Sequence, residues 1–295
     1  MKITKKDGIL FLVIAILLPY VLTMLANRKP DPSFQEKRAE EEFQILSELD
    51  RKVYKLLIAS INEKYPMEAL KAQAIILRSE ILYQEQRGGF VEGTEKNTLP
   101  YMDSCMKAVT FTSGQVLTYE NQLICPPYHA LSAGMTRSVN GEESADIYPY
   151  LKSADCKRDV EAADYLSMEG YTLEEFAKLI KEAYPNAPIK PESLFYDFHI
   201  EDTDAYGYVK SVSLCNEKIQ GGIFRRKIGL KSDSFVIEPY EQGVRVTTRG
   251  IGHGYGFDQY QASLLASEGM QSEEILQYFF SNIVIADANK ITENR

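Results

Sequence analysis

Outside its N-terminus this chain has no long cluster of Lys and Arg, it uses histidine only three times, and its four cysteines form no CxxC pair. Each shortage closes off a class of function. Nucleic-acid binding depends on basic patches that neutralise phosphates, and a net charge of -9 works against it. Zinc ribbons need closely paired cysteines, whereas Cys105, Cys125, Cys156 and Cys215 are scattered. Cys125 and His129 have the spacing of half a metal site, but no Cys or His follows from Ala130 to Asp155, so zinc is weakly supported and no cofactor is expected. In an oxidising exterior the four cysteines could form up to two disulfides, and in an anaerobe they would stand as free thiols. No short-period repeat points to a solenoid or propeller.

What is present is the composition of a globular protein, 295 residues with 44% hydrophobic and 25% charged side chains. The segment Gly8–Ala26 is apolar apart from Tyr20 and Thr23, and charged residues flank it on both sides. That is about the 20 residues a helix needs to cross a bilayer. It is long for the apolar region of a signal peptide, and no A-x-A pattern precedes Asn27. Lys2, Lys5 and Lys6 outnumber Arg28 and Lys29, which places residues 1–7 in the cytoplasm and everything beyond the anchor outside. Residues 27–49 read as a linker, with a helical stalk from Ser33 to Asp50, and residues 50–295 read as one domain.

Within that domain, Pro66 opens a helix whose apolar residues, Met67, Leu70, Ala74, Leu77 and Ile81, recur at steps of three and four. Ala69, Ala72 and Ile76 occupy its other faces, so it is expected to be buried on most sides. Val109 to Tyr128 reads as strands joined by a Ser113–Gly114 turn, and Thr172 with Glu175 caps a further helix that ends near Pro185. Tyr206–Leu214, Phe224–Leu230 and Val244–Thr248 alternate as strands do. The expected class is α+β, with helices and antiparallel strands forming a substrate groove.

Three segments carry chemistry. Glu68 lies in the first turn of the Pro66 helix, on roughly the face of Lys71 and Arg78. It can be a general acid, or a glutamate that satisfies the helix N-terminus. The N-terminus and the two cations would lower its pKa, so acid catalysis there requires desolvation to prevail. In R-G-I-G-H-G-Y-G-F-D-Q-Y-Q, glycines alternate around His253, just before a helix that Asp258 and Gln261 could cap. Gly252 and Gly254 would let main-chain N–H groups approach a ligand, or simply make a tight turn. Finally, Tyr128 to Thr136 places His129, Ser132 and Thr136 after a strand. Two of the three histidines thus fall in short polar, glycine-containing motifs.

In this order the segments resemble the stage II sporulation protein D family, also called the SpoIID/LytB domain. That family carries P-x-E-A-L-K-A-Q-A, then Y-H-x-x-x-G-G-x-T, then G-x-G-H-G-x-G-x-x-Q-Y-G-A. Here Pro66–Ala74 is intact, the glycine loop is nearly so, and Gly221–Ser232 is similar to the family's Arg-rich segment. The chain departs at Ala59–Asn62, where the family has G-E-M-P. It also departs at Ser79–Glu80, where the family has Thr-Tyr, and at Ala133, Asp258 and Gln261. Enzymes of the family are lytic transglycosylases acting on peptide-stripped peptidoglycan strands during engulfment of the forespore. The resemblance implies that Glu68 protonates the bond between N-acetylmuramic acid and N-acetylglucosamine, then draws a proton from the muramic C6 hydroxyl to give a 1,6-anhydro end. It further implies that Lys71, Arg78, Tyr128, His129, Ser132, Thr136, Gly252, His253, Gly254, Gln259 and Tyr260 line the groove. Some members hold zinc near the second motif, but Met135, Asn140 and Gly141 offer no ligands for it here. Stage II sporulation proteins P and M are the implied partners. The alternative is a glycan-binding scaffold of the engulfment machinery. A Cys125–His129 hydrolase is disfavoured, because Pro126 and Pro127 prevent the pair from sharing a helical face.

Overall fold

The computed structural model describes residue 18 and residues 41–62, 64–91, 102–139 and 148–292. The chain divides into two compact units, Met1–Leu46 and Ser47–Arg295. Of the first, residues 41–45 are helical. The N-terminal segment at 1–7, the expected anchor at 8–26 (Leu18 apart) and residues 27–40 of the linker lie outside the described residues. Among the described residues no helix is long and apolar enough to cross a membrane.

The second unit begins at α1 (Glu48–Ser60), where the Ser47 side chain accepts from the Asp50 N–H and separates this helix from residues 41–45. The described part of the expected Ser33–Asp50 stalk is helical at residues 41–45 and again from Glu48. The helix α2 (Met67–Glu85) is buried on nearly every face, through Ala69, Leu70, Ala72, Ala74, Ile75, Ile76 and Leu77, as its lack of a polar stripe requires. It is followed by α3 (Asp103–Phe111), β1 (Gln115–Tyr119), β2 (Gln122–Leu123) and β3 (Tyr128–His129). Val109 thus belongs to a helix and not to a strand. The hairpin turn is Glu120–Asn121, both residues at positive φ, while Ser113–Gly114 joins α3 to β1.

The chain continues through β4 (Leu166–Thr172), α4 (Leu173–Ala183), α5 (Leu194–Asp197), β5 (Phe198–Thr203), β6 (Val209–Leu214) and β7 (Glu217–Gln220). The Thr172–Glu175 capping box is formed as expected. Next comes α6 (Gly221–Ile228), where a strand over Phe224–Leu230 was expected. Phe224 and Ile228, four residues apart, share the buried face of this helix, and Gly229 ends it at a left-handed φ of 77°. The period of four and the glycine stop outweigh a short alternation. The chain ends with β8 (Phe235–Tyr240), β9 (Gly243–Arg249), β10 (Phe257–Asp258), α7 (Gln259–Ser267), α8 (Ser272–Phe279), β11 (Ile283–Asp287) and α9 (Ala288–Thr292).

The class is α+β. The sheets β11-β1-β2, β4-β9-β8 and β5-β6-β7 are antiparallel, and β3 pairs with β10 in parallel. Among the described residues two hydrophobic cores form. One gathers α2, α7 and α8 around Phe257, Phe279 and Phe280. The other joins α4, α6 and the two central three-stranded sheets around Phe176, Phe198, Phe224 and Phe235, with the Phe198 and Phe224 rings stacked 5.0 Å apart. None of the four cysteines forms a disulfide, and Cys105 and Cys156 are buried.

Arg78, expected in the groove, lies instead inside the protein with no exposure. Its guanidinium pairs with Asp50 at 2.8 Å and donates to the Val109 and Gln115 carbonyls, so it ties α1, α3 and β1 to α2. Removing one partner of such a pair leaves a bare charge in a poorly solvated place. Asp50→Ala is expected to cost roughly 3–5 kcal/mol in denaturant unfolding, and Asp50→Ala combined with Arg78→Met to recover part of it.

Candidate functional site

The glycine loop and the segment after β3 are built against each other. A Cβ on Gly252 would sit 2.7 Å from the His129 Cβ, one on Gly254 2.3 Å from the Tyr208 ring, and one on Gly256 2.2 Å from the Pro127 carbonyl. These three also hold left-handed φ values of 117°, 79° and 71°. The loop N–H groups are spent inside the protein, Ile251 to Leu131, Gly252 to Lys231 and Phe257 to Pro127. The glycines therefore serve chain-to-chain packing, and the Gly252 N–H is taken up by the Lys231 carbonyl.

This packing sets the side chains around it. His253 Nδ1 accepts from the Tyr255 N–H at 3.0 Å. Burial, then the charges of His129, Arg225 and Arg137, push the imidazole down to about 3, so it is neutral. His129 Nδ1 lies 3.0 Å from the Tyr255 carbonyl, and its Nε2 lies 3.4 Å from Asp258. Asp258 caps α7 by accepting from the Gln261 N–H, as the sequence suggested. Both Asp258 and Asp159 accept from the Ser132 N–H, at 2.7 and 2.9 Å, and Asp159 also accepts from the Ser132 hydroxyl at 2.6 Å. Two carboxyls so close cannot both ionise without large cost. Burial first, and then the charge of Asp258, push Asp159 up to about 9. Although burial opposes it, Asp258 is held below its ordinary value by His129. The pair is a carboxylic acid beside a carboxylate.

Cys156, Asp159 and Asp258 are the three metal-type ligands that converge among the described residues. A metal ion there would have to displace the Ser132 N–H and hydroxyl from the carboxyls, and Cys125 is not part of the cluster. The donor set fits a shared proton better than zinc.

Beside the loop, between the two cores, opens a groove of about 1050 Å³. One wall is Glu80 with Cys125–Tyr128 and Tyr148, the other is Lys210, Ile223, Arg226 and Asp233, and His253, Tyr255 and Arg137 close the end. Of the residues expected to line a groove, Tyr128 and His253 do so. The rest are elsewhere. Ser132 and Thr136 are fully buried, and the Thr136 hydroxyl clips the Ala154 N–H at 2.8 Å. Gln259 donates to the Ser60 carbonyl at 2.8 Å, and the Tyr260 N–H bonds Ala130. His129, Gly252 and Gly254 stand behind the groove as its support.

Glu68 and Lys71 are likewise not part of the groove lining. The Glu68 carboxylate binds Lys71 at 2.7 Å and accepts from the Ser272 N–H, at the start of α8, at 3.0 Å. Partial burial raises its pKa, but Lys71 and Ser272 together outweigh that and leave it lowered. Residues that sequence reading passed over include Glu80, Arg137, Tyr208, Arg226 and Asp233. The Glu80 substitution in the Arg-Thr-Tyr motif was one visible signal, and the Arg-rich Gly221–Ser232 segment, which holds Arg226, was another. Asp159 had none, since its partners are 27 and nearly 100 positions away.

Comparison with known proteins agrees with the motif reading. The model of the family described as SpoIID, Stage II sporulation protein, matches residues 41–119. Stage II sporulation protein D of Bacillus subtilis (strain 168) is 26% identical over 265 residues, covering 82% of this chain and 75% of that protein. The Bacillus amyloliquefaciens protein of the same name is 24% identical over the same shares. An uncharacterized protein of Brachyspira hyodysenteriae is 24% identical over 253 residues, 79% of this chain and 65% of its own.

The acid pair has a consequence for stability. A carboxyl whose folded pKa is raised contributes stability that is full below its unfolded pKa and is lost as pH rises toward the folded value. For Asp159 that window runs from about 4 to about 9. The thermal midpoint of the wild type should therefore fall from pH 5 to 9, and Asp159→Asn should flatten that slope. Equal slopes would contradict a protonated Asp159.

Proposed function

We propose that this chain, which shares its motifs with the stage II sporulation D proteins, acts in sporulation as a peptidoglycan lytic transglycosylase. In this reading residues 8–26 anchor it in the membrane by a single pass, and the domain works outside on peptide-stripped glycan strands. Stage II sporulation proteins P and M are the partners that the resemblance offers.

The observation that carries the reading is the composition of the groove. Tyr128, Tyr148 and Tyr255 offer apolar ring faces with polar ends, which suits the mixed faces of sugar rings. A muramic acid stripped of its peptide exposes a lactyl carboxylate at every second sugar. Arg226 is an exposed guanidinium in the groove wall and suits that anion, with Lys210 beside it. Cleavage to a 1,6-anhydro end requires one carboxylic acid and no activated water, because the C6 hydroxyl of the same sugar is the nucleophile.

Glu68 is the acid that the resemblance supplies, and its surroundings count against that role. Lys71 and the Ser272 N–H favour the ionised form, which cannot donate a proton. Its ties to α8 favour the other reading of Glu68, a glutamate that satisfies a helix N-terminus, here as a clamp between two helix starts.

The soluble fragment from about Ser33 onward, incubated with peptide-free strands, should yield 1,6-anhydro-muramyl ends by mass spectrometry. Binding without cleavage would establish the scaffold instead, and reducing ends would mean a hydrolase. Arg226→Ala should weaken binding of peptide-free strands about tenfold at low salt, with a smaller effect at high salt. Unchanged, salt-independent binding would remove Arg226 from the site.

A further inference from the structure

Of the carboxyl groups in the groove, one has no counterion. Asp233 is flanked by Arg225 and Arg137. Glu80 makes no hydrogen bond or ion pair among the described residues, and its Oε2 is shut off from solvent with no partner. It projects from the second turn from the end of α2 into the wall formed by Cys125 and Tyr128. An ionised glutamate in such a place would lack both water and donors, a large cost, whereas the neutral acid bears it far more easily.

We propose that Glu80 is the proton donor of the groove, the role that the motif comparison assigns to Glu68. This rests on the glycan-cleavage reading above. In the step, the Glu80 carboxylic acid gives its proton to the glycosidic oxygen, and the bond from that oxygen to C1 of N-acetylmuramic acid breaks. The C6 oxygen of the same sugar forms the new bond to C1, and its proton passes to the Glu80 carboxylate. The products are a free 4-hydroxyl on N-acetylglucosamine and a 1,6-anhydro end. The acid is regenerated and no water is consumed.

The surroundings of Glu80 match that cycle. Desolvation alone raises its pKa, with no cation set against it. On its own helix Tyr83 and Gln84 follow it, and Arg87 lies in the turn just past the helix end. From the facing segment come Cys125, whose thiol burial pushes up to about 11, and Tyr128, whose phenol burial pushes up to about 12. Both stay neutral near pH 7 and add no charge that would ionise Glu80 or repel a sugar. Across the groove stand Arg137, Lys210, Arg226, Asp233 and the neutral His253, with Arg137 already engaged by Asp204 at 2.6 Å.

The test compares the soluble fragment with its Glu80→Gln and Glu68→Gln variants on peptide-free glycan strands, counting anhydro ends by mass spectrometry. Loss of a general acid predicts a fall of about 10²- to 10⁴-fold for Glu80→Gln, with strand binding and thermal midpoint unchanged. Glu68→Gln should stay within a few-fold of wild type, and the wild-type rate should decline as rising pH ionises Glu80, at a pH above the usual glutamate range. A Glu80→Gln variant that cleaves within a few-fold of wild type would overturn the assignment while leaving the transglycosylase intact. A wild type that binds strands and never cleaves them would overturn both. Should Glu80→Gln fail to fold, carbon-13 titration of the Glu80 carboxyl in the wild type decides. A midpoint above the usual glutamate range supports the proposal, and an ordinary midpoint refutes it.

Discussion

The contact on which the rest of the structure depends is the fit of the glycine loop against the segment 127–132. At Gly252, Gly254 and Gly256 there is no room for a Cβ, because His129, Tyr208 and the Pro127 carbonyl occupy that space. Parallel pairing of β3 with β10 follows from that closeness, placing Tyr128 beside Phe257 and His129 beside Asp258. The loop also reaches the second core through Tyr208, whose hydroxyl accepts from the Ala133 N–H at 2.9 Å and donates to the Met135 carbonyl. A groove with one wall from each core is the outcome, and its width is set by a backbone contact that tolerates no added methyl group.

Electrostatics divides the carboxyls by position. Asp50, Glu68 and Asp233 each meet a cation, Asp258 meets His129, and Asp159 resolves its conflict by keeping a proton. These are structural arrangements, since each charge is answered within the protein. Glu80 is answered by nothing within reach, at the edge of a space large enough for several sugar residues. Unanswered polarity in a groove is where substrate chemistry has room to act.

Local signals were read well and long-range ones poorly. Steps of three and four marked α2, and the Thr172–Glu175 box and the Asp258 cap follow from neighbours a few residues apart. The strand expected at Phe224–Leu230 failed because so short an alternation also satisfies a helix once Gly229 is free to end it. Arg78 looked like a groove cation because its partner, Asp50, is 28 positions away and nothing local announces their burial. The family motif was legible over α2, the second segment and the loop. It singled out residues that build the fold, such as Ser132, Gly252 and Gln259, more often than residues that face the groove. The departures were the better pointers. Ser60 and Glu80, where the family carries Glu and Tyr, are both electrostatic neighbours of the Tyr128 phenol.

The central claim, that glycan is held between the two cores, is tested most directly by amide chemical-shift mapping of the soluble fragment with a peptide-free tetrasaccharide. The account predicts perturbations centred on Tyr128, Ile223, Arg226 and Tyr255, on both walls of the groove. Shifts confined to Glu68, Lys71 and Ser272, with the groove silent, would contradict it.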